Sequence, residues 1–188
     1  MPPKVKITKN DIIEATLELI RKNGQDSINA RSIAGALNCS TQPIFSNFSS
    51  MEELDSEVIS LAYQHYLGFI EEEIKGGEYP KYKSFGMAYI RFAKEEKELF
   101  KLLFMCDRSG KDLTPSADFE ASVEMIMQAN GISREKASLL HLEMWACVHG
   151  IGTMLATSYL ELDRELISSM LTDVYLGLCQ RLAKGEMK

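Results

Sequence analysis

A chain of 188 residues, 45% of them hydrophobic, is long enough to bury a sizeable core, and its formal net charge of −6 argues against a protein that coats nucleic acid nonspecifically. No apolar run is long enough to cross a bilayer and no charged-then-apolar signal segment opens the chain, so a cytoplasmic protein without membrane contact is expected. The four cysteines (Cys39, Cys106, Cys147, Cys179) form no CxxC pair and read as buried free thiols of a reducing compartment. His141 and His149 come with no HExxH or carboxylate pattern, so neither a metal nor another cofactor is expected.

The charge is unevenly spread. Residues 1–50 carry six basic groups (Lys4, Lys6, Lys9, Arg21, Lys22, Arg31) against four acids, a net of +2, which leaves −8 for the rest. The front of the chain is able to approach phosphate while the body repels it. Pro2-Pro3-Lys4-Val5-Lys6 reads as a basic arm.

Thr8 and Asp11 form a capping-box-like start to a first helix, whose apolar face is Ile12, Ile13, Ala15, Thr16, Leu19 and Ile20. Asn23-Gly24 ends it, glycine suiting the left-handed C′ position. A second helix spans about Asn29 to Leu37, with Ile33, Ala34 and Leu37 inward, and Asn38 follows as a residue that tolerates positive φ. Ser40 caps a short third helix with Pro43 in its first turn and with Ile44, Phe45 and Phe48 as core anchors. Two short helices joined by a tight turn at Leu37-Asn38-Cys39-Ser40 make the pattern of a helix-turn-helix, which sets its second helix in the major groove of DNA.

Ser49 or Ser50 caps a fourth helix, with Glu52, Glu53 and Asp55 complementing its dipole. It runs to about Ile74, long enough to link two parts of the molecule. Further helices are expected at about 81–93, 98–106, 117–129, 133–160 and 163–183, with a loop at 107–115. The fold expected is therefore all-α, with about nine helices. Residues 1–50 form a three-helix DNA-binding domain with its basic arm, and residues 51–188 a second, helical domain.

The segment Gly24–Leu54 resembles, without a gap, the DNA-binding domain of the TetR/AcrR family of bacterial transcriptional regulators. The match is carried by Gly24, Arg31, Ile33, Ala34, Ser40, Ile44, Phe48, Ser50 and Leu54, with Asn29 and Phe45 as near matches. Trp145-Ala146-Cys147-Val148-His149-Gly150 is similar to the W-x-x-x-H-G element of one subgroup of the family's ligand-binding domains. Three departures stand out. Asn38 replaces a turn glycine, Phe45 replaces a tyrosine whose hydroxyl commonly reaches phosphate, and Met51 replaces a lysine that does the same. The last two losses imply a shallower salt dependence than is usual for the family.

The resemblance implies a dimeric regulator, most often a repressor, released from a palindromic operator on double-stranded DNA by a small effector, and it assigns effector binding and dimerisation to residues 51–188. Thr41 and Gln42 open the recognition helix and meet base edges; Arg31 reaches phosphate or guanine. Ser40, Ser46 and Asn47 donate to phosphate, and Lys4 and Lys6 reach the minor groove. Useful affinity needs two heads, so the last two helices are expected to pair across a dyad through Val148, Gly152, Leu155, Leu166, Met170, Val174 and Leu178. The body's aromatic and methionine side chains suit an adaptable pocket for an apolar or aromatic effector. Those expected to line it are Tyr66, Phe69, Tyr89, Phe92, Phe104, Met105, Met125, Trp145 and His149. An all-helical enzyme would need converging nucleophile, base or metal ligands, and no such spacing occurs. A protein-interaction module with weakened DNA binding is the alternative, motivated by Phe45 and Met51.

Overall fold

The computed structural model describes residues 7–107 and 117–183. Among them are nine α-helices and one 3₁₀ turn, Gln25–Ser27. The helices are α1 (Lys9–Asn23), α2 (Ala30–Ala36), α3 (Gln42–Asn47), α4 (Met51–Gly76), α5 (Lys81–Glu95), α6 (Lys97–Phe104), α7 (Ala117–Asn130), α8 (Arg134–Ala156) and α9 (Arg164–Ala183). No strand occurs among the described residues. The all-α expectation holds. The expected loop at 107–115 lies, apart from Asp107, outside the described residues.

The chain divides into two compact units. The first comprises Met1–Gly68 and Glu96–Cys106, the second Phe69–Glu95 and Asp107–Lys188. This differs from a boundary at residue 50: the first two-thirds of α4 and all of α6 belong with the head.

In the first unit, Thr8 caps α1. Its amide and hydroxyl donate to the Asp11 carboxylate while the Asp11 amide donates back to Oγ1. The Thr8 amide, with its hydroxyl, holds the Asp11 carboxyl below the usual range. The buried face of α1 is Ile12, Ile13, Thr16, Leu17 and Ile20; Leu17 takes the inward place expected of Leu19, which is half-buried. Gly24 ends the helix with φ +78 and ψ 166. That is a glycine-favouring extended conformation, not the left-handed helical one expected. Ile33, Ile44, Phe48, Leu54 and Val58 complete the core from α2, the end of α3 and α4. Leu99 and Phe100 of α6 are fully buried in the same unit, and the Arg21 guanidinium grips the carboxylate of Glu96 with two bonds of 2.9 and 2.8 Å.

The second unit packs α5, α7, α8 and α9 together. Gly86 lets α5 approach closely: a Cβ there would meet Val148 at 3.3 Å and Leu171 at 3.4 Å. Helix α8 stops at Ala156, four residues before the expected end. Ser158 turns left-handed (φ 56), and the amides of Ser158 and Tyr159 close back on the carbonyls of Leu155 and Met154. Near the end of α4, Glu73 is 5% exposed. Its carboxylate accepts from Arg91 at 3.2 Å and from Arg164 at 3.1 and 2.9 Å.

Candidate nucleic-acid interface

The turn between α2 and α3 is built from backbone geometry. Asn29 caps α2 by accepting from the amides of Arg31 and Ser32, while its own amide donates to the Ser32 hydroxyl. At the other end Asn38 adopts φ 51. Its amide donates to the Gly35 carbonyl and that of Cys39 to the Ala34 carbonyl, the paired bonds of a Schellman stop. Asparagine is among the residues that visit the left-handed region most readily, so the exchange for glycine leaves the turn intact.

Helix α3 begins at Gln42, with Thr41 at the N-cap position and Pro43 in the first turn. Thr41 makes no side-chain cap bond. The helix therefore starts later than a Ser40 cap would have it, and Ser40 lies exposed in the preceding turn. One side of α3 is sealed by Ile44, and Phe48 just beyond it is likewise buried. The opposite ridge is Gln42 and Ser46, both exposed, with Thr41 half-buried at the start. Arg31 is exposed on α2.

Phe45 departs from expectation. It is 58% exposed and not part of the core. Ile44 and Phe48 fill the inward side, and at about 100° per residue the next position after Ile44 turns out of it. The family's tyrosine at this place was the available signal, since a residue whose hydroxyl reaches phosphate has to face outward.

Two expected phosphate donors are already engaged. The Ser46 hydroxyl donates to the Gln42 carbonyl at 2.9 Å, and the Asn47 amide nitrogen to the Pro43 carbonyl at 2.8 Å. Two of the front's cations are engaged as well. Lys9 pairs with Glu57 at 2.8 Å and Glu53 at 3.3 Å, and Arg21 with Glu18 and Glu96. Exposed Lys22 and Arg31 make no ion pair among the described residues. Lys4 and Lys6 lie outside the described residues. Glu53 is held down at about 2 by the Ser49 hydroxyl and amide, with Lys9 adding to the effect.

The residues expected at an effector pocket fall in both units. In the first, the Tyr66 and Phe104 rings meet edge-on at 5.2 Å, Tyr66 buried and Phe104 half-buried, and Met105 is exposed. In the second, Phe69 meets the fully buried Phe92 edge-on at 5.2 Å, and Met125 is half-buried. Tyr89 is buried with its hydroxyl 2.8 Å from His149 Nδ1. Trp145, at 48% exposure, stacks on His149 with ring centres 5.2 Å apart. Burial pushes the His149 imidazole below its ordinary pKa. A shallow cleft of about 210 Å³ lies elsewhere, lined by Glu72, Glu73, Gly76, Glu78, Arg91 and Arg164; none of the nine expected residues lines it.

The expected dimer residues divide as well. Val148, Gly152 and Leu155 are buried within their own unit, where α8 meets its neighbours, so they are not available to a partner. Leu166 is exposed and Met170, Val174 and Leu178 are half-buried. The exposed apolar positions of α8 are instead Leu142, Trp145 and Ala146, three and four residues apart on one face. Cys106 is exposed and the other three thiols are half-buried, so none is as enclosed as expected.

Residues 82–174 match the family model described as the tetracyclin repressor-like C-terminal domain. Among solved structures, the chain is similar to a single-substitution variant of TetR from Acinetobacter baumannii AYE in complex with minocycline. The TM-score is 0.58 at 14% identity, over 97% of this chain and 100% of that one. No curated protein matches the chain. The α2–turn–α3 unit at the front, the helical body and the match over residues 82–174 converge: the chain belongs to the TetR family of transcriptional regulators.

Proposed function

We propose that the protein is a dimeric, effector-responsive repressor that binds a palindromic operator through the α2–turn–α3 unit of each head. The observation that carries this reading is the left-handed Asn38 turn, which delivers Thr41 and Gln42 to the outer end of a helix sealed by Ile44. Glutamine pairs bidentately with adenine and threonine touches a thymine methyl, which makes these two the specificity residues. Arg31 supplies phosphate or guanine contact and Lys4 and Lys6 reach the adjacent minor groove; Ser40, Ser46 and Asn47 add backbone contacts, the last two by exchanging an internal bond for one to phosphate.

One head reads few bases, so two are required. Leu142 and Trp145 of α8, with Leu166 and Leu176 of α9, are the exposed apolar positions that a second copy would cover. An apolar or aromatic effector held among the aromatic side chains of the body releases the operator if it favours one of two arrangements of the body over the other.

The test is selection of bound fragments from random DNA, followed by the Thr41→Ala, Gln42→Ala double variant. That variant should lose discrimination between operator and random sequence far more than it loses nonspecific binding. Full operator discrimination in the double variant would refute the site assignment. The exposed Phe45 favours one second reading, a protein-interaction module whose head no longer grips DNA. Salt-dependent operator binding separates the two.

A further inference from the structure

We infer that Phe45 is a third specificity residue, one that reads the 5-methyl group of a thymine beside the bases met by Thr41 and Gln42. The inference rests on the DNA-binding reading above and adds a defined chemical feature to the operator. Phe45 is the most exposed large apolar side chain among the described residues of the first unit, at 58% against 39% for Ile59 and 41% for Met105. Single exposed apolar residues are ordinary. What sets this one apart is its position.

The core side of α3 is closed by Ile44, with Phe48 buried beyond it, so Phe45 contributes little to holding the helix in place. It stands one residue from Ser46 and three from Gln42, flanking the exposed ridge of the helix. A benzyl group has no donor for a phosphate oxygen. In the major groove the apolar feature that distinguishes one base pair from another is the thymine methyl, which an apolar side chain recognises by contact. The same ring against deoxyribose would be indifferent to sequence, and the experiment separates the two.

The test uses the full chain and an operator selected from random DNA. Each thymine of the half-site is replaced in turn by uracil, symmetrically in both halves, which removes one methyl and leaves base pairing unchanged. At one position binding should weaken about four-fold per half-site and about fifteen-fold for the palindrome, the effect of one methyl returned to water in each half. In Phe45→Ala the same substitution should have no effect, whereas thymines sensed by Thr41 keep theirs. Phe45→Leu, which stays apolar, should retain part of the sensitivity. Thermal unfolding of Phe45→Ala should match the parent, because the ring is outside the core. The inference is overturned if no thymine is sensitive, or if every sensitive thymine is equally so in Phe45→Ala. Failure of the parent chain to retain any DNA at low salt would overturn the DNA-binding reading itself, an outcome distinct from the other two.

Discussion

Salt dependence offers the most direct check on the electrostatics of the head. Each phosphate neutralised on B-DNA contributes about −0.9 to the slope of log affinity against log salt concentration. Of six cations in residues 1–50, Lys9 and Arg21 are held by Glu53, Glu57, Glu18 and Glu96. That leaves Lys4, Lys6, Lys22 and Arg31, four per head and twice that in a dimer. The slope should therefore be no steeper than about −7, a fall of about four decades in affinity between about 50 and about 200 mM salt. Arg31→Ala removes one cation from each head and should flatten the slope by about 2, whereas Lys9→Ala should leave it unchanged. Met51→Lys, which places a cation at the first residue of α4, should steepen it by about 2. The assay is fluorescence anisotropy of labelled operator over a salt series. A slope insensitive to Arg31→Ala, or altered by Lys9→Ala, would refute the division into engaged and available cations.

Three further outcomes concern stability. Breaking a buried ion pair from one side costs about 3–5 kcal/mol. Glu73→Gln should cost less, about 2 kcal/mol, because Arg91 keeps Glu72 and Arg164 keeps Glu78. Urea unfolding, with Arg164→Ala and the double variant completing a cycle, measures the coupling, and a coupling near zero would contradict the geometry. For Glu53, whose folded pKa is lowered to about 2 from 4.5, the contribution is present above the unfolded value and lost as pH falls through the folded one. Acid titration should therefore find Glu53→Gln less stable than the parent at neutral pH, with the gap closing between about pH 4.5 and about pH 2. At Asn38, glycine should be tolerated and valine should cost about 1–2 kcal/mol in thermal or urea unfolding, since a β-branched residue resists φ 51.

What the sequence made legible was local. The Thr8–Asp11 box, the Asn38 turn and the helical periods are set by residues within a few positions of each other, and each lies close to where those residues put it. Facing was harder. Phe45 and Phe48 are equally apolar, and only the register against Ile44 decides that one is exposed and the other buried. In α8, periodicity marks two apolar stripes but does not say which meets α5 and α9; Val148 closes on Gly86, distant in sequence, while Leu142 and Trp145 lie exposed. The partners of Arg21 and Glu73 are as far as 75 and 91 residues away, and no local pattern points to them.

The placement of α6 bears on how the molecule can be taken apart. The head is not a contiguous stretch of sequence: Leu99, Phe100 and Glu96 return to it from beyond α5. A fragment cut at residue 50, or at residue 68, would leave apolar faces of α1 bare and Arg21 without Glu96. Exchanging operator specificity between relatives by swapping an N-terminal segment would inherit the same mismatch. A working chimera has to carry the donor's own α6, or leave the α1 face that meets it untouched and transplant no more than α2 and α3.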